Sequence, residues 1–107
     1  MVPTITLPDG TPLPALGAGT WNMGDTPARR EEEIASLRYA VEQGIQVVDT
    51  AEMYGNGRSE KLVGEAIAPL REQVFLVSKV LPGNASAQGV AQSCRRSLTH
   101  LGTDRLD

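Results

Sequence analysis

The chain of 107 residues has one cysteine and one histidine. The lone cysteine, Cys94, excludes an intramolecular disulfide and agrees with a reducing compartment. With His100 as the lone histidine and no cluster of ligand-type side chains, no metal site is expected. No apolar run approaches the roughly 20 residues that a membrane-spanning helix needs. The opening residues, Met1 to Gly10, contain neither a basic segment nor an apolar one, so no secretory signal is expected and the cytoplasm is the expected location. Lys and Arg number 10 against 13 Asp and Glu, for a net charge of -3. Nucleic-acid binding needs a basic excess to neutralise phosphates, so it is excluded as the main task. Repeats, low-complexity tracts and linkers are also lacking. What remains is a globular composition, 40% hydrophobic and 21% charged, of a length that suits one domain at most.

The pattern along the chain is one of strands and helices in alternation. Thr4 to Leu7 alternates, Pro8-Asp9-Gly10 is a turn signal, and Thr11 to Leu13 can return as a short edge strand, weakened by Pro12 and Pro14. Leu16-Gly17-Ala18-Gly19-Thr20-Trp21 reads as a strand whose glycines clear one face for a close neighbour. Thr26 and Pro27 suit a helix start. Ile34, Leu37 and Val41 then follow at helical spacing, behind Glu31-Glu32-Glu33, which read as a solvated first turn. Gly44 stops that helix, and Ile45 to Thr50 is a β-branched strand. Ser59 is a candidate cap for a second helix with Leu62, Val63, Ala66 and Ile67 as its buried face. Val74 to Val80 is a third strand. A third helix starts near Ser86 with Val90, Cys94, Leu98 and Leu101 on one face, Cys94 reading as a small core residue, and Gly102 stops it. Leu106 and Asp107 are expected to begin a fourth strand. Such alternation predicts a parallel sheet covered by helices. Both a (β/α)₈ barrel and an open doubly wound sheet fit.

Three polar residues fall where such sheets place their chemistry, at the ends of parallel strands. Lys79, amid apolar neighbours, taken alone is a strand-end lysine reaching to solvent. Asp49 ends the preceding strand, and consecutive parallel strands bring their ends together. Alone it reads equally well as a turn residue or a structural ion-pair partner. Tyr54 lies five residues on, in the loop Ala51 to Gly57, where a tyrosine on its own is usually a packing residue. A cation beside a phenol favours the phenolate, and so makes the phenol a better proton donor near neutral pH. Asp49 would hold that cation in place. Gly17 to Asn22 begins like a dinucleotide fingerprint, but Asn22 stands where a third small residue belongs, and no acidic residue follows at the expected distance. Glu52 and Asp49 as a carboxylate pair lack the ligands of a metal site. His100, at the end of the third helix, reads as a solvent-facing residue near the carbonyl end of the dipole.

Taken together, Leu16 to Trp21, Val48-Asp49-Thr50-Ala51-Glu52-Met53-Tyr54-Gly55, Ser59-Glu60 with Val63-Gly64, Val77-Ser78-Lys79-Val80, and Ser97-Leu98 followed by Leu101 to Asp107 resemble the aldo-keto reductase family. The resemblance covers essentially the whole chain, including the N-terminal hairpin that plugs the barrel floor in that family. Within the family the chain is most similar to bacterial reductases of methylglyoxal and other small aldehydes. It implies an α/β fold comprising the hairpin and the first three βα units of a (β/α)₈ TIM barrel, incomplete in this chain, with residues 1–107 forming the N-terminal part of a single reductase domain. It also implies NADPH as cofactor and a small carbonyl compound as substrate.

The same resemblance implies roles. Asp49, Tyr54 and Lys79 match three members of a catalytic Asp-Tyr-Lys-His group, with Tyr54 as proton donor. Gly19, Thr20, Trp21 and Asp49 match cofactor-binding positions near the nicotinamide end. Trp21 and Met53 match the substrate pocket wall. The family's histidine falls a few residues after the Leu-Asp of the fourth strand, and His100 does not replace it. The segments that hold the cofactor's phosphates belong to the last strands. The 107-residue chain alone is therefore expected to be inactive. The alternative is a catalytically silent fragment or an interaction module derived from the barrel, since some barrels of this family serve as channel-associated subunits.

Overall fold

Residues 2–107 are described by a computed structural model. Strands β1 (Thr4–Thr6) and β2 (Pro12–Pro14) form the expected antiparallel hairpin, with Ile5 opposite Leu13. The remaining strands form one parallel sheet in the order β3 (Gly17–Gly19), β4 (Val47–Asp49), β5 (Phe75–Val77). Helices α1 (Arg30–Glu42), α2 (Arg58–Ile67) and α3 (Ala87–Leu101) follow them in turn. No closed barrel forms among the described residues. Val2 lies beside Gly44, just ahead of β4, which sets the hairpin at the end of the sheet where the strands begin.

The regular strands are shorter than the apolar runs that encode them. Pairing nonetheless continues past them, because Thr50 N donates to Val77 O and Glu52 N to Lys79 O. Asp107 N donates to Leu76 O at 2.9 Å, a backbone bond on the far edge of β5 where the fourth strand is expected. Arg71 pins this segment, donating to Thr103 Oγ1, Arg105 O and Asp107 Oδ2.

The core lies between the helices and one face of the sheet. Val48 and Leu76 are fully buried there against Ile34, Leu37 and Val41 of α1, Leu62, Val63, Ala66 and Ile67 of α2, and Leu101 of α3. The other face carries Val47, Asp49 and Val77, all half-exposed. Period-two alternation thus sends Asp49 to the open side while its neighbour Val48 anchors the strand.

Four expectations need correction. Glu33 is not solvated: it is 9% exposed, and its Oε1 accepts the Gly24 amide. Ser59 does not cap α2, whose N-cap is Gly57. Cys94 is exposed rather than in the core. The buried side of α3 is Ser93, Ser97 and Leu101, whereas Val90 is 46% exposed. The last turn of α3 sits against α2 at Gly64, where the lack of a Cβ lets the Leu101 backbone approach, and this contact turns Leu101, with Ser97 one turn earlier, inward. Val90 and Cys94 then line an apolar groove of about 230 Å³ with Val80 and Leu106.

Candidate active site

The C-terminal ends of the three parallel strands carry the site. Register aligns Gly19, Asp49 and Val77 across the sheet, and Lys79 lies just beyond. The Lys79 ammonium donates to Asp49 Oδ2 at 2.9 Å and to Thr50 O at 2.8 Å. Its Nζ stands 3.5 Å from the Tyr54 hydroxyl and 5.1 Å from the centre of that ring. The structure therefore brings Asp49, Tyr54 and Lys79 together. Both members of the Lys79–Asp49 pair keep two-fifths or more of the side chain accessible, 48% and 40%, so the group is open to a reactant.

Burial works to lower the Lys79 pKa, but the hydrogen bond and charge of Asp49, with Tyr54 behind them, outweigh it and hold the value above that of an ordinary lysine. Lys79 is thus a fixed cation at neutral pH. A raised lysine stabilises the fold fully below the unfolded-state value of about 10.4, and this contribution fades as pH climbs through the raised folded value. The urea midpoint of the full-length protein is expected to fall on that alkaline limb. Asp49→Asn should flatten this part of the profile; an unchanged alkaline limb would refute the coupling.

The other predicted residues take distinct places. Gly19 is exposed, and a Cβ there would meet nothing within 4 Å. Trp21 and Met53 project into solvent at this same end, 73% and 58% exposed. Thr20 is 1% exposed, and its hydroxyl donates to Asp49 O at 3.0 Å. Ser59 Oγ lies 2.8 Å from Thr20 O and 3.4 Å from Thr50 Oγ1. A buried hydroxyl knot therefore ties the ends of β3 and β4 to α2.

Sequence reasoning missed the burial of two carboxylates, Glu52 and Glu60, one on either side of the Tyr54 loop. Glu60 is 0% exposed and accepts from Ser78 Oγ at 2.8 Å. His100 Nδ1 lies 3.2 Å from Glu60 Oε1, so His100 does not face solvent as expected; its ring packs on Gly57. Glu52, 7% exposed, accepts from Leu81 N, Asn84 Nδ2 and Arg96. Burial pushes the Glu52 pKa up, but these donors prevail and hold it below the usual glutamate value. A signal for Glu60 was present: it shares a helical stripe with Val63 and Ile67, three and seven positions on.

Comparison with known proteins bears on the whole arrangement. Methylglyoxal reductase YeaE of Escherichia coli (strain K12) is 54% identical over 95 residues, covering 89% of this chain and 34% of the relative. An aldo-keto reductase of Mycobacterium avium (strain 104) is 37% identical over 109 residues, covering 99% and 35%. The crystal structure of an aldo/keto reductase from Klebsiella pneumoniae in complex with NADP and acetate superposes with a TM-score of 0.93 at 44% identity, covering all of this chain and 38% of that one. The chain thus spans about a third of the length of these relatives. The model of the aldo/keto reductase family matches residues 15–107, and the chain belongs to that family.

Proposed function

We propose that these residues form the acid–base half of an NADPH-dependent reductase that converts small aldehydes and ketones to alcohols, with Tyr54 as the proton donor. The observation that carries this reading is the contact among Lys79, Asp49 and Tyr54 at the open end of the sheet. A carbonyl oxygen set against the Tyr54 hydroxyl receives its proton as the carbon is reduced. The neighbouring Lys79 ammonium stabilises the phenolate left behind. Asp49 keeps that ammonium oriented, and Thr20, through the Asp49 carbonyl, keeps the strand end in place. Bound NADPH would supply the hydride for the carbonyl carbon. The residues fit such a cofactor: the bare backbone at Gly19 leaves open space beside Asp49, and exposed Trp21 and Met53 offer apolar walls.

The substrate class rests on the likeness to the Escherichia coli methylglyoxal reductase. An indole and a thioether near the open strand ends suit a short carbonyl compound with no charged group to satisfy. The test is the loss of nicotinamide absorbance when methylglyoxal or another small aldehyde is added to the full-length protein with NADPH. Aldehyde-dependent oxidation is expected. A protein that binds NADPH yet reduces no aldehyde in such a panel would overturn the proposal.

A further inference from the structure

The loop that carries Tyr54 has little regular structure to hold it. Gly55, Asn56 and Gly57 all take positive φ, at 58°, 53° and 94°. Tyr54 itself is half-buried, and its hydroxyl meets Lys79 at 3.5 Å. The place of the phenol is therefore set by the loop backbone, and the backbone by whatever grips its two ends.

Those ends are Glu52 and Glu60, both buried. Glu52 receives the Leu81 amide at 2.6 Å, the Asn84 amide group at 3.3 Å and Arg96 at 3.2 Å. Glu60 receives the Ser78 hydroxyl at 2.8 Å and lies 3.2 Å from His100 Nδ1. Ser78 immediately precedes Lys79, and Leu81 follows it by two. Arg96 and His100 are one turn apart on α3, so a single helix face reaches both carboxylates. The His100 ring also fills the space at Gly57, where a Cβ would fall 2.7 Å from Cε1.

We propose that Glu52 and Glu60 are positioning residues, which with Arg96 and His100 clamp the Tyr54 loop and the Lys79 segment to α3 and so hold the phenol against the ammonium. The argument for position over stability is energetic. A buried carboxylate with saturated partners contributes little net stability compared with an apolar residue of the same size, because its desolvation offsets the attraction. What it does supply is direction: each carboxylate accepts from groups on different elements and fixes their relative place. The catalytic consequence rests on Tyr54 being the proton donor.

The experiment uses the full-length protein with methylglyoxal and NADPH. Glu60→Ala is expected to lower kcat by about 10- to 100-fold, the scale of an ångström-sized misplacement, with NADPH affinity by fluorescence little changed. Glu60→Gln keeps the hydrogen-bonding shape and should restore most of the rate. Amide hydrogen exchange in peptides spanning residues 50–61 should quicken in Glu60→Ala and not in Glu60→Gln. Added to Tyr54→Phe, Glu60→Ala should cost little more, because both act on one proton transfer. Where Glu60→Ala fails to fold, Glu52→Ala and Arg96→Ala test the other anchor by the same readouts. Unchanged exchange with unchanged kcat, or losses that multiply in the double variant, would overturn the clamp. A Tyr54→Phe protein with near-normal turnover would instead overturn the donor assignment, and the exchange data would still decide whether the carboxylates hold the loop.

Discussion

Tyr54→Phe in the full-length protein is expected to cut carbonyl turnover by about 10²–10⁴-fold, the usual contribution of a positioned general acid, while NADPH binding is retained. That range corresponds to about 3–5 kcal/mol of lost transition-state stabilisation. The variant removes one oxygen atom and leaves the ring, so the loop keeps its packing. The rival donor within reach is Lys79, and it is the weaker candidate on two grounds. Its pKa is raised by Asp49, which makes it a poorer acid at neutral pH. Two of its three ammonium protons are also committed to Asp49 Oδ2 and Thr50 O. Turnover and NADPH affinity are both to be measured. A large fall in turnover at constant affinity assigns the donor to Tyr54, and near-normal turnover assigns it elsewhere.

How far this site could be read from the chain depends on the range of the interactions. The hairpin turn, the strand–helix alternation and the buried face of α2 are local patterns, and each appears where periodicity placed it. The meeting of Asp49 and Lys79 followed from topology alone, since consecutive parallel strands end side by side. The hydroxyl knot did not follow, because Ser59 and Thr20 are 39 residues apart and serine ahead of an apolar run reads first as a cap. His100 was misplaced for a similar reason. A histidine in the last turn of a helix is commonly solvated, and only the packing of α3 on Gly57 and Glu60 turns it inward. The rotation of α3 was misjudged because its stripe mixes Val90, Cys94 and Leu98 with serines. The contact at the end of the helix decides it, since α2 presents a glycine to the Leu101 backbone and rewards close approach.

That glycine is Gly64, and replacing it by alanine is expected to destabilise the protein. In an open helix the change would be favourable by about 1 kcal/mol, because glycine is the poorer helix former. Here a Cβ would fall 2.6 Å from the Leu101 carbonyl oxygen and 2.8 Å from its carbonyl carbon and Cα. These are backbone atoms at the last turn of α3, and no rotamer change can move them aside. Helix α3 must therefore back away from α2, and because backbone is met the cost is expected toward the upper end of the roughly 1–3 kcal/mol typical of overpacking, above the propensity gain. The same displacement draws His100, one residue earlier, away from Glu60 and loosens the clamp on the Tyr54 loop. The expected result is a melting midpoint lowered by several degrees, with faster amide exchange in residues 50–61. Gly83→Ala is the matched control, since a Cβ there meets nothing within 4 Å, and it should melt with the parent protein. A Gly64→Ala protein that melts at or above the parent would show that propensity prevails, and that α3 is free to shift without disturbing the site.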